Sequence, residues 1–145
     1  LLNQVQLERE YQDIYDFVIC DRSVVDNFIY AVQAYEKEQQ TIPTWIEPFV
    51  LHHSKSYNFL FKTPVSPFGL IDDGIRSVDR KWQKEIDEQI KQYLKEKEIN
   101  HIELPISESE TYDDIVDYAT KQAKFMASQI TNMDVQKRIF EEKYY

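Results

Sequence analysis

The sequence predicts an α/β protein in which a parallel sheet is flanked by helices. Short continuous apolar runs are typical of strands that are buried on both faces of a parallel sheet. They alternate with longer segments whose apolar residues recur every three to four positions, as in amphipathic helices. Strands that alternate with helices imply right-handed β-α-β units. The chain has 145 residues and is 42% hydrophobic, which suffices for one core, so we expect a single domain over 1–145.

The first third of the chain contains the clearest strand-to-helix transition. A weakly amphipathic helix is expected over about 1–12, and the apolar run at 17–20 predicts a buried strand. A helix over 25–39 follows, since its apolar residues recur at i, i+3, i+4 and i+7. Asp21 and Arg22 are therefore expected in the turn between a strand and a helix. Ligands of such sheets bind beyond the carboxyl ends of the strands, where this turn would lie.

The middle of the chain is punctuated by proline and glycine. Pro43 suits the first turn of a helix that runs to about residue 54. The aromatic and aliphatic run at 57–61 predicts a second strand, which the following prolines end. The segment 65–76 contains both glycines of the chain and is expected to be an exposed loop.

The last part of the chain has helical periodicity on both sides of a weaker strand. Apolar residues step by four over 78–94 and predict a long amphipathic helix that reaches about residue 97. The segment 101–104 is a third candidate strand. A further helix is expected over 115–130, with its start indicated by the polar run at 107–110. The charged residues 132–145 are compatible with a terminal helix or with a tail.

Composition limits the classes of partner. The chain has 17 basic and 26 acidic side chains and a net charge of −9, which disfavours nucleic acid polymers and anionic membranes. A small anionic ligand stays open, because a few local arginines suffice to bind it. No apolar run is long enough to cross a bilayer, so we expect a soluble protein, and the single cysteine fits a reducing compartment such as the cytoplasm. The lone Cys20 excludes an intramolecular disulfide and is expected to be a small buried hydrophobe.

The first candidate site is the sequence Asp21-Arg22-Ser23. A carboxylate at the end of a strand can hold the water shell of Mg²⁺ or accept a proton from an attacking hydroxyl, and an adjacent arginine can neutralise phosphate charge. The alternative is structural: Asp21 caps the following helix and Arg22 is a surface charge.

The second candidate site is the segment 72–76, followed by Asp79 and Arg80. A loop that carries arginine can close over a nucleotide, exclude water and place positive charge at the phosphoryl oxygens. The alternative is an ordinary polar turn before a solvated helix start.

The order of these parts resembles P-loop nucleoside and nucleotide kinases, including thymidylate kinase. The segment 17–30, FVICDRSVVDNFIY, is similar to their strand, Asp-Arg motif and following helix. It is most similar to the AAA-type ATPase/kinase family allied to ribosylnicotinamide kinase domains, and 72–80 resembles the lid of that family. The resemblance spans roughly residues 10 to 130. It implies that Asp26 and Tyr30 border a pocket for the phosphoryl acceptor.

The resemblance also implies an activity, which is ATP-dependent transfer of the γ-phosphoryl group to a nucleoside-like or other small acceptor. By the same resemblance Asp21 is the catalytic base or the Mg²⁺ ligand. Arg22 binds the acceptor or the transferred phosphate. Arg76 and Arg80 are lid cations that contact ATP, and Arg76 takes part in catalysis.

One part of the family pattern has no counterpart in this sequence. The chain contains only 2 glycines and no G-x-x-x-x-G-K-[ST] stretch, which normally cradles the phosphates. We therefore expect the first strand, the phosphate-binding loop and its helix to precede Leu1. The alternative function is a nucleotide-binding or sensing module without chemistry. A homodimer stays open.

Overall fold

The computed structural model describes residues 1–65, 79–105 and 115–144, with side chains described as far as residue 132. Most of the predicted 65–76 loop, the predicted lid cation Arg76 and the polar run at 107–110 lie outside the described residues. Five helices and two strands are present in the described ranges: α1 Leu2–Gln12, α2 Val24–Lys37, α3 Ile46–Ser54, β1 Phe61–Lys62, α4 Arg80–Glu96, β2 Ile102–Glu103 and α5 Ile115–Tyr144. None of the described helices is both long and apolar enough to span a membrane.

The chain forms two compact units. The first comprises Leu1–Leu60 and Asp79–Asn100 and contains α1 to α4. The second comprises Phe61–Val78 and His101–Tyr145, and its described part contains β1, β2 and α5. The expectation of a single domain over 1–145 stays a prediction.

The core of the first unit lies between α2, α3 and α4. Val24 and Val25 at the start of α2 and Val50 on α3 are completely buried. Ring packing continues this core, with the Phe28 ring 5.2 Å from the Tyr93 ring between α2 and α4. Full burial of a valine or phenylalanine side chain contributes about 1.5–3 kcal/mol, so these residues hold the three helices together.

Helix α4 confirms the prediction from its apolar periodicity. Ile86, Ile90 and Leu94 are buried on one face, as their four-residue spacing predicts. The helix begins after Asp79, whose carboxylate accepts hydrogen bonds from the backbone N–H groups of Lys81 at 2.8 Å and Trp82 at 3.3 Å. This side-chain cap gives the first turn of α4 a defined start.

Helix α5 is longer than the predicted helix over 115–130, and the residues that it buries differ from those that its apolar spacing indicates. It continues through 132–144, so the terminal-helix alternative holds for those residues. Ala119 and Ala123 recur at a spacing of four in the expected 115–130 helix, but both are exposed. The buried residues are Tyr118 and Gln122, and the Gln122 amide donates to the Pro105 carbonyl at 2.7 Å. This hydrogen bond and the larger tyrosine ring favour a face rotated by one position.

The strands of the second unit are parallel, as predicted, but short. Phe61 is in register with Ile102 and Lys62 with Glu103. The Leu104 N–H also donates to the Lys62 carbonyl at 3.0 Å. The predicted strand at 57–61 is therefore wrong except at its last residue. The start of that run belongs to the first unit, where the Tyr57 hydroxyl contacts the Val24 N–H and the Glu8 carboxylate.

The predicted strand at 17–20 is also wrong. These residues belong to neither a helix nor a strand, and Cys20, expected to be buried, is exposed. Phe17 is 69% exposed and Ile19 is 92% exposed. An apolar run forms a buried strand only where other strands pair with it and helices cover its faces. No strand pairs with 17–20 among the residues that the structure describes.

Candidate functional site

The turn formed by Asp21 and Arg22 lies immediately before α2, as predicted, and both side chains are exposed. Arg22 has a φ of 83°, in the left-handed region that costs a non-glycine residue about 1–2 kcal/mol. The Arg22 carbonyl accepts a hydrogen bond from the Gln4 side chain on α1. The surrounding structure thus holds a strained backbone at the Asp-Arg pair, a feature often found at functional sites.

Ser23, and not Asp21, caps α2. The Ser23 hydroxyl accepts from the N–H groups of Val25 at 3.1 Å and Asp26 at 3.4 Å. In return, Asp26 Oδ2 accepts from the Ser23 N–H at 2.8 Å and from its hydroxyl at 2.6 Å. This reciprocal capping box occupies Asp26 Oδ2. The structural alternative for Asp21 is therefore wrong, and within the described part of the chain its carboxylate has no hydrogen bond or ion pair.

Arg22 begins a stack of side chains that connects the turn with α4. Its guanidinium carbon lies 5.0 Å from the centre of the Tyr30 ring, within the range of a cation–π interaction. The Tyr30 ring lies 5.8 Å from the Trp82 ring, with 35° between the planes. The Trp82 indole N–H donates to Gln33 Oε1 at 3.0 Å, which fixes the position of the indole. Trp82 is partly buried and packs against the core of the first unit, and sequence reasoning missed its contact with Tyr30.

Five of the predicted site residues lie in the first unit: Asp21 and Arg22 just before α2, Asp26 and Tyr30 on α2, and Arg80 on α4. Arg22 and Tyr30 are in direct contact, and Asp26 lies one helical turn before Tyr30 on α2. Arg80 lies in the first turn of α4, which also carries Trp82. Among the predicted site residues, only Arg76 lies outside the described residues.

Behind this turn lies a buried polar cluster that sequence reasoning missed. Glu8 on α1 is 9% exposed and accepts hydrogen bonds from His53 Nε2 at 2.7 Å, Gln4 Nε2 at 2.7 Å and the Tyr57 hydroxyl at 3.2 Å. The Tyr57 oxygen in turn accepts from the Val24 N–H at 3.0 Å. A carboxylate oxygen accepts hydrogen bonds, so this contact is a hydrogen bond when His53 Nε2 carries the hydrogen. The cluster thus ties α1 and α3 to the first residue of α2.

The environment of the Glu8 cluster keeps two neighbouring groups protonated. Burial raises the pKa of the Tyr57 hydroxyl far above its usual value; the Val24 N–H acts in the opposite direction, and Glu8 adds to the increase. Partial burial of the sulfur and the adjacent Glu8 carboxylate raise the pKa of the Cys20 thiol to about 11. Cys20 is thus a poor nucleophile at neutral pH, although its residue is exposed.

Gln4 joins the buried cluster to the exposed turn. Its amide nitrogen contacts both Glu8 and the Arg22 carbonyl, and its amide oxygen accepts from the Asn27 side chain. The four-residue spacing of Gln4 and Glu8 on a helix indicates a shared face. No local pattern in the sequence pairs Glu8 with His53, which lies 45 residues away.

The exposed turn offers an anion-binding guanidinium beside a carboxylate that can accept a proton. Among the described residues, no group of three or more His, Cys, Asp or Glu side chains is arranged to hold a metal ion by itself. Mg²⁺ is commonly bound through one or two carboxylates together with substrate phosphates. Asp21 is therefore suited to share a Mg²⁺ ion with a phosphorylated ligand.

Comparison with known proteins places the chain in a family. No curated protein and no solved structure gives a significant match. A family model described as an AAA domain matches residues 1–114. The match takes in α1 to α4 and both strands and ends immediately before α5. The chain therefore belongs to the AAA domain family, whose members have P-loop-type nucleotide-binding domains.

Proposed function

We propose that this chain acts in ATP-dependent transfer of a phosphoryl group to a nucleoside, a nucleotide or a similar small metabolite. The observation that carries the proposal is the conformation of Arg22. The residue adopts a costly left-handed backbone while its guanidinium is held against Tyr30. An ordinary turn does not require an arginine there. Membership of the AAA domain family supports nucleotide binding.

Each residue of the turn has a defined role in this proposal. The Asp21 carboxylate accepts the proton of the acceptor hydroxyl or contacts Mg²⁺, which when bound neutralises phosphate charge. The Arg22 guanidinium stabilises negative charge on the transferred phosphoryl group. The Tyr30 ring holds the Arg22 guanidinium in place through the cation–π contact. Tyr30 and Asp26 together border the acceptor pocket. Arg80, together with Arg76 of the lid, contacts the ATP phosphates.

The test measures transfer of labelled γ-phosphate from ATP by a protein that contains this chain, across a panel of nucleosides, nucleotides and ribosylnicotinamide. Asp21→Asn is expected to lower kcat by about 100-fold or more, since positioned proton transfer contributes that much. Asp16→Asn is the matched control, because Asp16 is an exposed carboxylate in the same segment. Absence of turnover on the whole panel, or equal rates for the two variants, would contradict the proposal.

A second candidate function is a nucleotide-binding module without chemistry. It is favoured by one observation, that these 145 residues contain no glycine-rich phosphate-binding sequence. Calorimetric titration with ATP and Mg²⁺ distinguishes the two candidates. Saturable binding without turnover supports the module, whereas binding with turnover supports the phosphotransferase.

A further inference from the structure

The peptide group between Arg22 and Ser23 is held at both of its polar ends. Its carbonyl oxygen accepts a hydrogen bond from Gln4 Nε2 on α1, and its N–H donates to Asp26 Oδ2 at 2.8 Å. Because a peptide group is planar, these two bonds hold the orientation of the whole group. They also hold the direction of the Arg22 Cα–C bond, which restricts where the Arg22 side chain can point.

The orientation of the Gln4 side-chain amide is set by three partners. Its nitrogen donates to Glu8 Oε1 at 2.7 Å and to the Arg22 carbonyl, and its oxygen accepts from Asn27 Nδ2. The same Asn27 nitrogen donates to the Ser23 carbonyl at 3.3 Å. If the Gln4 amide were reversed, its oxygen would face two acceptors and its nitrogen would face a donor. One orientation alone satisfies all three contacts.

Glu8 anchors Gln4, because its carboxylate is buried and is also bonded to His53 at 2.7 Å. A second pair on α1 has the same spacing but no such connection. The Gln6 amide donates to Glu10 at 2.8 Å, both residues are exposed, and neither side chain has another hydrogen bond within the described residues. The Gln4–Glu8 pair thus differs from an ordinary pair on a helix surface, because it reaches a turn outside its own helix.

We propose that Gln4 is a positioning residue for Arg22. It holds the Arg22 carbonyl so that the guanidinium stays over Tyr30, with its carbon 5.0 Å from the ring centre. Without this bond the left-handed backbone of Arg22 has less to offset its cost, and the turn samples other conformations. The effect of Gln4 on catalysis rests on the proposed phosphoryl transfer, in which Arg22 stabilises the transferred group, whereas its effect on the position of Arg22 does not.

Nuclear magnetic resonance measures the position of Arg22 without reference to activity. Protons of the Arg22 side chain that lie over the Tyr30 ring are shifted upfield, and Tyr30→Leu defines the unshifted value. Gln4→Met and Gln4→Glu are each expected to remove about half of the upfield shift or more, since neither side chain donates to the Arg22 carbonyl. The control Gln6→Met is expected to keep the shift. Circular dichroism verifies that each variant is folded, and Gln4→Glu, which retains the shape of glutamine, replaces Gln4→Met if that variant does not fold.

The second measurement is transfer of labelled γ-phosphate from ATP by a protein that contains this chain. Gln4→Met is expected to lower kcat by about fivefold, which corresponds to the loss of one hydrogen bond. The KM for ATP should change by less than about twofold, because Arg80 and the lid contact the ATP phosphates. In an Arg22→Ala background the same substitution should change kcat by less than about twofold, since no guanidinium is left to position. Gln6→Met should leave kcat unchanged.

The proposal is overturned if the unmodified chain shows no upfield shift at Arg22, if both Gln4 variants keep it, or if Gln4→Met and Gln6→Met lower kcat equally. An additive loss in the Arg22→Ala background also overturns it, since Gln4 would then act elsewhere. If the protein transfers no phosphate, the proposed function fails, and the resonance experiment alone decides whether Gln4 positions Arg22.

Discussion

At the scale of single residues, the burial of Glu8 connects the fold with the candidate site. Its carboxylate accepts hydrogen bonds from His53, Tyr57 and Gln4, and Gln4 also holds the Arg22 carbonyl. A buried charge is tolerated only when it is paired and hydrogen-bonded, as it is here. Gln4 thus connects the buried Glu8 carboxylate to the backbone of the Asp21-Arg22 turn.

Replacement of Glu8 should expose how much stability this cluster contributes. Glu8→Ala is expected to lower the free energy of unfolding by about 3 kcal/mol, because it leaves the buried His53 imidazole and the partly buried Tyr57 hydroxyl without their acceptor. The measurement is urea denaturation followed by circular dichroism. The control is Glu10→Ala on the exposed face of α1, expected to change stability by less than about 0.5 kcal/mol. Similar losses for both variants would show that the cluster contributes little.

The raised pKa of Cys20 predicts a specific pH dependence. With a pKa of about 11, the thiolate fraction and thus the rate of alkylation by iodoacetamide should rise about tenfold per pH unit from about pH 8 to pH 10. An unstructured cysteine peptide, the control, should reach its plateau near pH 9.5 because its pKa is about 8.5. A plateau for Cys20 below about pH 9 would show that burial and Glu8 do not hold the thiol protonated.

At the scale of elements, helices α2 and α4 end in the same way. After α4, the Ile99 N–H donates to the Leu94 carbonyl at 2.9 Å and the Glu98 N–H to the Lys95 carbonyl at 3.2 Å. This is the Schellman motif, which normally has glycine at the position that Glu98 occupies with a φ of 52°. Gln39 has the same place after α2, with a φ of 53°. Both helices thus end with a non-glycine residue in a strained conformation.

Glycine at these helix ends should stabilise the protein. Glu98→Gly and Gln39→Gly are each expected to raise the free energy of unfolding by about 0.5–1 kcal/mol, since relief of the left-handed strain exceeds the entropy that glycine costs. Thermal or urea denaturation measures the change. The control is Glu96→Gly inside the last turn of α4, which should instead cost about 1 kcal/mol. A loss of stability in all three variants would refute this account of the helix ends.

The elements differ in how far the sequence could predict them. Helix α4 was predictable because apolar residues recur every four positions along it. The buried Ile86, Ile90 and Leu94 follow this spacing, which indicates one buried face. A strand of four residues carries no such repetition. The run at 17–20 has the composition of a buried strand, but its burial depends on partners far away in sequence, which a local pattern does not contain.

At the scale of the whole molecule, the parallel pairing and the AAA family were within reach of the sequence, whereas the site was only partly so. The position of Asp21 and Arg22 before α2 followed from the change of periodicity at that point. The Glu8 cluster did not, because it joins α1 to residues 45 and 49 positions later. The stack of Trp82 on Tyr30 likewise depends on how α2 and α4 pack.

Glu8 is separated in sequence from its partners His53 and Tyr57 by 45 and 49 residues. During synthesis, Glu8 is therefore made before the groups that it binds. Glu8 leaves the ribosome 45 residues before His53, which corresponds to a few seconds at about 5–20 residues per second. During that interval its carboxylate stays hydrated and α1 has no buried surface to dock against. The Glu8 cluster is therefore completed only after Tyr57 has been added, although Glu8 is made early.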